Sequence, residues 1–171
     1  MRSTSTHRSL YGGAFLTLCL IAAIAPVLFT GCSLKAGNGT EVTAPAVEQA
    51  RVSYIVDGDT VRLEDGRAVR YLGIDTPEIG EYYYEEATEK NREFVEGKVV
   101  ELHPGSRNID DYGRYLRYVY IDGIFVNAEL VAQGYAKAYR KGPEEEYSQY
   151  LFQLEEEAKS AGAGLWNGQT P

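Results

Sequence analysis

The sequence is poor in cysteine and histidine, which limits the covalent and metal chemistry open to the protein. It contains two residues of each type among 171. The cysteines, Cys19 and Cys32, both precede the first strand-like segment, so the folded domain is predicted to hold no internal disulfide. Neither residue type lies near the polar motifs between residues 56 and 78. A metal ion bound there would be held by oxygen atoms.

Acidic residues are absent from the first part of the chain and begin at Glu41. A short positive segment is followed by an apolar run over 10–29, which is typical of an export signal. The run ends in Leu-Phe-Thr-Gly-Cys at 28–32, which resembles a bacterial lipoprotein cleavage box with Cys32 as the lipidated residue. Leu28 lies one position further from the cysteine than is usual. A signal peptide cut elsewhere, which would release the protein, and an uncleaved anchor of about 20 apolar residues therefore remain open.

Basic residues are in the minority. The chain has 17 basic and 25 acidic residues, a formal charge of −8. Without residues 1–31, which contribute Arg2 and Arg8, the charge is near −10. This sign argues against tight binding of a polyanion such as nucleic acid. Part of the acid is segregated, however, in glutamate runs at 144–146 and 155–157 on a predicted C-terminal helix.

The length suits one domain with a sizeable core better than two. Residues 1–31 are interpreted as the export signal, and residues 32–50, polar and rich in small side chains, as a flexible tether. The folded domain is predicted to span 51–168. We find no internal repeat, and no feature of the sequence predicts an oligomer or a protein partner.

Strand patterns begin at the predicted domain start. Val52, Tyr54 and Val56 alternate with their neighbours, as expected of residues sharing one strand face. Further strands are predicted near 61–63, near 69–71, at 98–102 and at 114–121. The strand at 98–102, the fourth in chain order, is predicted to be closed by Pro104–Gly105. Asp-Gly pairs predict tight turns at three places, namely 57–58, 65–66 and 122–123.

Three helices accompany these strands. They are predicted at 85–96, at 127–134 with Asn127 as N-cap, and from Pro143 to about Ala161. Strands joined by hairpins and capped by helices indicate a mainly β fold with α elements, in which a small, closed antiparallel barrel is packed by about three helices.

Three motifs carry the candidate chemistry, at 56–60, 70–78 and 110–114. The first two set carboxylates, Asp59 and Asp75 among them, near an arginine at predicted strand ends. Hard oxygen ligands beside a guanidinium group are what a divalent cation and a phosphodiester would require together.

Each motif also has a simpler interpretation. Asp59 follows a turn and could serve only the turn. Asp75 and Glu78 have capping-box spacing, although Gly80 interrupts a helix starting there. Arg114 alone would be a solvated strand start. Arg70 lies inside an apolar strand and needs an anionic partner.

Taken together, the motifs resemble the staphylococcal nuclease (thermonuclease) family. The matching pieces occur in the family's order, at 56–60, 70–78, 110–114, 118–120, 126–131, 134–137 and 164–166. The resemblance implies a five-stranded barrel of the oligonucleotide-binding (OB) type and calcium-dependent cleavage of DNA and RNA to products with 3′-phosphate ends.

The resemblance also implies roles for individual residues. The calcium ligands would be Asp59, Asp75 and the Thr76 carbonyl. The catalytic residues would be Arg70, Glu78 and Arg114. Apart from the resemblance, Tyr112 and Tyr139 could stack on bases, and with Lys137 they are predicted to contact substrate.

Two other functions remain open at this stage. One is a non-catalytic nucleic-acid-binding module on the same barrel, because fold does not guarantee function. The other is an envelope lipoprotein that binds a protein or cell-wall partner through its acidic helices. The complete set of carboxylates and arginines favours the exported, lipid-anchored nuclease.

Overall fold

Five strands close into a barrel in the computed structural model, which describes residues 47–139 and 146–168. The predicted signal, Cys32 and all of the predicted tether before residue 47 lie outside the described residues. The elements in chain order are β1 Glu48–Ile55, β2 Thr60–Leu63, β3 Ala68–Tyr71, β4 Ile74–Asp75, α1 Tyr84–Val95, β5 Val99–Ile109, β6 Tyr115–Ile121, β7 Ile124–Phe125, α2 Val126–Ala132, β8 Lys137–Ala138, α3 Ser148–Ala161 and a 3-10 helix Gly164–Trp166.

The sheet runs in the order β3-β2-β1-β5-β6-β7, and an additional β3–β6 pairing closes the barrel. The predicted OB-type barrel with three helices is therefore confirmed. The pairing that closes the barrel differs from the predicted antiparallel one. β3 and β6 pair in parallel, whereas the other barrel pairs are antiparallel. β4 and β8 form a separate two-stranded antiparallel sheet.

The barrel interior is filled by branched aliphatic side chains from every strand of the barrel, with helix residues at its ends. Those that are at most 2% exposed include Val52, Ile55, Val61, Leu63, Val69, Val95, Val100, Leu102, Val119, Leu130 and Leu151. Each such side chain stabilises the fold by about 1.5–3 kcal/mol relative to exposure, before chain entropy is counted. The closed barrel is thus a rigid platform for the loops at its rim.

β1 departs from its predicted pattern in two ways. It begins at Glu48 and pairs with β5 from that residue, so the last part of the predicted tether, 48–50, is strand. A register shift between Val52 and Tyr54 then breaks the alternation. Ile55 enters the core, whereas Tyr54 is 57% exposed. A bulge of this kind moves the following side chains to the other face.

The predicted end of the fourth strand at Pro104–Gly105 is wrong, because β5 continues to Ile109. The ladder to β6 is irregular between Pro104 and Ile109, where a missing proline N–H is tolerated. Gly105 serves packing rather than a turn, since a Cβ there would lie 2.5 Å from Leu72 Cδ1.

The start of α2 also differs from prediction. α2 begins at Val126, so Asn127 lies within its first turn and is not the N-cap. Its buried side chain instead accepts a hydrogen bond from the Val119 N–H and donates one to the Leu72 carbonyl, at 2.9 and 2.8 Å. α3 begins at Ser148 after a turn at 146–147, and the predicted start at Pro143 lies outside the described residues. The predicted tight turns at 65–66 and 122–123 are confirmed, and Gly66 and Gly123 both have positive φ. Residues 57–58 instead lie in a bend in which Gly58 has no positive φ, because this loop is shaped by its close approach to Thr76. None of the helices in the described ranges combines the length and apolar character that a membrane span requires.

Candidate active site

The loop between β1 and β2 brings Asp59 into the protein at the barrel rim. Gly58 allows the loop to approach closely, because a Cβ at this position would lie 2.8 Å from the Thr76 side chain. The Asp59 side chain is only 5% exposed. Its Oδ2 accepts hydrogen bonds from the Thr76 N–H and Oγ1, at 2.9 and 3.0 Å, and its Oδ1 accepts one from Thr60 Oγ1 at 3.0 Å. These bonds join the first and second motifs.

Arg70 lies between two carboxylates. Its Nη1 is 2.9 Å from Asp59 Oδ2, and its Nη2 donates to Asp75 Oδ1 at 2.7 Å. Nη1 also donates to the carbonyls of Tyr71 and Ile74, both at 2.9 Å. The expectation that this arginine has an anionic partner is confirmed. A guanidinium that bonds several groups in this way is held in one orientation.

The charge of the buried Asp59 carboxylate is not fully compensated by its neighbours. Desolvation raises the pKa of Asp59 to about 7, although Arg70 and the Thr76 hydrogen bonds act to lower it. One guanidinium therefore does not fully compensate the cost of burying this carboxylate, and a bound cation would favour its ionised form. The donors predicted for calcium, two carboxylates and the Thr76 carbonyl, are hard oxygens of the kind that calcium prefers.

These residues fit a calcium ion chemically, as part of a shell completed by water or substrate. Within residues 47–139 and 146–168, no three acidic, histidine or cysteine side chains form a preassembled metal cage. The predicted set has only two such side chains, so it depends on oxygens from other sources.

The short β4–β8 sheet brings two predicted substrate residues to this rim. Lys137 lies opposite Asp75 in the register, and both are partly or fully solvent-accessible. The Tyr139 N–H donates to the Gly73 carbonyl at 2.8 Å, and its side chain is 46% exposed. A cation and an aromatic ring therefore border the predicted calcium ligands.

The turn before β6 orients the second arginine. The buried Asp110 accepts hydrogen bonds from the backbone N–H groups of Tyr112 and Arg114, each at 2.9 Å, and from Arg114 Nε at 2.7 Å. Burial acts to raise the pKa of Asp110, but these hydrogen bonds outweigh it and hold the pKa below its usual value. Arg114 also lies 5.4 Å from the centre of the Tyr112 ring, which is 84% exposed. The interpretation of Arg114 as a simple solvated strand start is therefore wrong.

Glu78 stands apart from these networks. It lies in an exposed loop, and its backbone N–H donates to the Glu81 carboxylate at 2.8 Å. Its side chain makes no ion pair or hydrogen bond with any residue that the structure describes. The structure thus joins Asp59, Arg70, Asp75 and Thr76 directly, whereas it records no contact of Glu78 or Arg114 with that group.

Three supporting residues were not singled out from the sequence. Asp57 Oδ1 accepts the Asp59 N–H at 3.0 Å, and the Asp57 carbonyl accepts a bond from Asn91 on α1 at 2.9 Å. Asn91 in turn accepts the buried Tyr71 hydroxyl proton at 2.9 Å. The third is Asp110. Asp57 and Asp110 lie inside the motifs, but no local signal marks Asn91, which is 34 residues from its Asp57 partner.

A family model described as staphylococcal nuclease homologue matches residues 68–168, more than half of the chain. This chain belongs to the staphylococcal nuclease homologue family. The resemblance inferred from the sequence motifs is thereby confirmed. The match runs from the start of β3 to just beyond the 3-10 helix and contains Arg70, Asp75 and Arg114. Asp59 precedes it.

Several curated proteins are similar to this family member. Endonuclease YncB of Bacillus subtilis (strain 168) is 35% identical over 145 residues, 78% of this chain and 68% of that protein. The SPbeta prophage-derived endonuclease YokF of the same organism is 40% identical over 124 residues, 66% of this chain but only 42% of that protein. Thermonuclease of Staphylococcus hyicus is 27% identical over 165 residues, 89% of this chain and 98% of that protein.

Proposed function

We propose that this member of the staphylococcal nuclease homologue family is a calcium-dependent nuclease that hydrolyses phosphodiester bonds of DNA, RNA or both. The names of its relatives state endonuclease or thermonuclease activity for those proteins. The observation that carries the proposal here is the Arg70 guanidinium held between the Asp59 and Asp75 carboxylates. Grouped hard oxygens and a fixed cation meet the needs of a divalent metal ion and an anionic phosphodiester.

Asp59, Asp75 and the Thr76 carbonyl would hold the calcium ion. When bound, the ion supplies positive charge that neutralises the carboxylates and polarises a phosphate oxygen. The raised pKa of Asp59 supports this assignment, because a buried carboxylate with incomplete compensation gains from a cation.

The two arginines would bind the phosphate and oppose the negative charge that develops in the transition state. Arg70 is held by Asp59, Asp75 and two carbonyls, and Arg114 by Asp110, so neither needs to be ordered during the reaction. Glu78 would orient the attacking water and accept its proton. Its carboxylate forms no hydrogen bond or ion pair with the described residues, so both of its oxygens are available for that water. Departure of the 5′ oxygen would leave a phosphate on the 3′ side.

The test is cleavage of single-stranded DNA and of RNA by the purified protein in calcium and then in excess chelator. Glu78→Gln is the active-site variant, and Glu85→Gln, an exposed acid at the start of α1, is the matched control. We expect calcium-dependent cleavage that falls about 100-fold or more in the first variant and is unchanged in the second. Mass spectrometry of the products should show 3′-phosphate ends. A folded protein that cleaves neither substrate would refute the proposal.

We further propose that the chain is exported and anchored to the cell envelope by lipid at Cys32. This rests on the apolar run and the residues at 28–32. Cys32→Ser should move the protein from the membrane fraction to the soluble fraction. Unchanged fractionation would favour an uncleaved anchor, and a soluble wild-type protein would favour a signal peptide cut elsewhere.

A further inference from the structure

A groove of about 490 Å³ adjoins the candidate site on one side of the barrel. It lies between the β2–β3 hairpin and the turn before β6. Three arginines, Arg62, Arg67 and Arg114, line it, whereas Asp57 is the only acidic residue among its lining. This is the opposite of the whole chain, in which acidic residues outnumber basic ones. Among the described residues that line the groove, arginines therefore outnumber carboxylates, although the chain as a whole is acidic.

Because side chains alternate along β2 and β3, the groove lies on the same outward face of these strands as Arg70. Val61, Leu63, Val69 and Tyr71 point into the core. The other residues of β2 and β3 form outward cross-strand pairs, Thr60 with Arg70 and Arg62 with Ala68. Because outward positions recur every second residue, Arg62 lies about 7 Å along β2 from the residue opposite Arg70. A polynucleotide bound at Arg70 can thus continue along this face.

The arginines of the groove differ in how far they are neutralised. Arg67 pairs with the Glu48 and Asp65 carboxylates, and Arg114 pairs with Asp110. Arg62 is exposed and makes no ion pair with any residue in the described ranges. Its guanidinium is therefore available to an external anion, whereas those of Arg67 and Arg114 already hold carboxylates.

Two aromatic rings, those of Tyr112 and Tyr115, also line the groove. The Arg67 guanidinium lies 5.1 Å from the centre of the Tyr115 ring, and Arg117 lies 5.2 Å from it, so this ring is held in place. Tyr112 is largely exposed at the groove edge. An arginine that no described carboxylate neutralises, beside an exposed aromatic ring, offers the two contacts that single-stranded nucleic acid uses, since phosphates bind cations and bases stack on rings.

We propose that this groove binds the nucleotides of a single strand that extend beyond the scissile phosphate, with Arg62 contacting a backbone phosphate. The proposal rests on the proposed nuclease function and adds an extended binding surface to it. It also gives an acidic protein one guanidinium on the path of the strand, that of Arg62, which no described carboxylate neutralises.

The test measures binding, using Glu78→Gln protein in calcium so that the substrate survives. The ligands are a single-stranded DNA of about eight nucleotides, followed by fluorescence anisotropy, and an unlabelled dinucleotide used as competitor. Arg62→Ala and Arg62→Lys are compared with Arg92→Ala, which removes a partly exposed arginine of α1 with the same change in net charge. Thermal unfolding confirms that each variant is folded.

Loss of one phosphate contact on a single strand lowers the slope of log affinity against log salt by about 0.7, which corresponds to about fivefold in affinity at 0.1 M salt. We expect this loss for Arg62→Ala on the longer ligand, with the dinucleotide unaffected. Arg62→Lys should retain most of the affinity, and Arg92→Ala should match the parent protein. Equal affinities and slopes for Arg62→Ala and Arg92→Ala would overturn the proposal.

Cleavage by the protein without the Glu78 change is measured in parallel, which separates the two proposals. Cleavage with no effect of Arg62→Ala on binding would refute the groove alone. Strand binding that depends on Arg62 without any cleavage would refute the nuclease function and leave the groove in place.

Discussion

The buried Asp59 carboxylate predicts an unusual pH dependence of stability for the metal-free protein. Desolvation raises its pKa to about 7 in the folded state, against about 3.9 in an unfolded chain. Between these values the folded state binds more protons than the unfolded state, so the free energy of unfolding falls as pH rises. For these two pKa values, the loss between pH 5 and pH 7 is about 2 kcal/mol.

The measurement is urea unfolding at several pH values in excess chelator, for the wild type and for Asp59→Asn. The asparagine is neutral throughout and is close in shape, so it resembles protonated Asp59. The difference in unfolding free energy between the two proteins removes the contribution of other titrating groups. We expect the wild type to lose about 2 kcal/mol relative to Asp59→Asn on going from pH 5 to pH 7.

Saturating calcium should reduce this dependence in the wild type, because a bound cation favours the ionised carboxylate. It should stabilise Asp59→Asn much less. Parallel curves for the two proteins in chelator would refute the reasoning, since they would mean that Arg70 alone fully compensates the buried charge.

Two further predictions concern the supports of the site. Asn127→Ala should lower the unfolding free energy by about 2–4 kcal/mol in urea unfolding, because the buried Val119 N–H and Leu72 carbonyl both lose their partner; a loss below about 1 kcal/mol would contradict this. Asp110→Asn should cost about 1–2 kcal/mol at pH 7 and weaken catalysis through misorientation of Arg114. The pKa of Asp110 is lowered in the folded state, so the cost of the substitution should shrink as pH falls from about 4 through that lowered pKa. A cost that does not change with pH would contradict the stabilising role of the ionised Asp110 carboxylate.

The parts of the fold that were predictable depend on residues close in sequence. An Asp-Gly pair favours a tight turn, and the pairs at 65–66 and 122–123 lie at turns in which the glycine has a positive φ. Tyr115–Ile121 and Tyr84–Val95 lie within one residue of their predicted bounds because their patterns are regular. The bulge in β1 and the continuation of β5 past Pro104 were missed, since both depend on pairing with a distant strand.

The candidate site likewise combines residues that the sequence predicted with one that it did not. Asp59, Arg70, Asp75 and Thr76 stand in short motifs, and the structure joins them directly. The roles assigned to these four residues, and those assigned to the other predicted site residues, remain predictions. The hydrogen bond from Asn91 to the β1–β2 loop could not be predicted. The residues around an asparagine in a helix do not indicate which distant group it binds, and its partner here is 34 residues away.

The sequence by itself determined the family, the approximate positions of the five barrel strands, and the residue types of the site, because motif order and local conformational preference depend on neighbouring residues. Only the tertiary structure decided the parallel β3–β6 pairing, the burial that raises the pKa of Asp59, and the groove in which Arg62 forms no ion pair with any residue that the structure describes. These properties arise from desolvation and pairing between distant segments, which exist only once the barrel has closed.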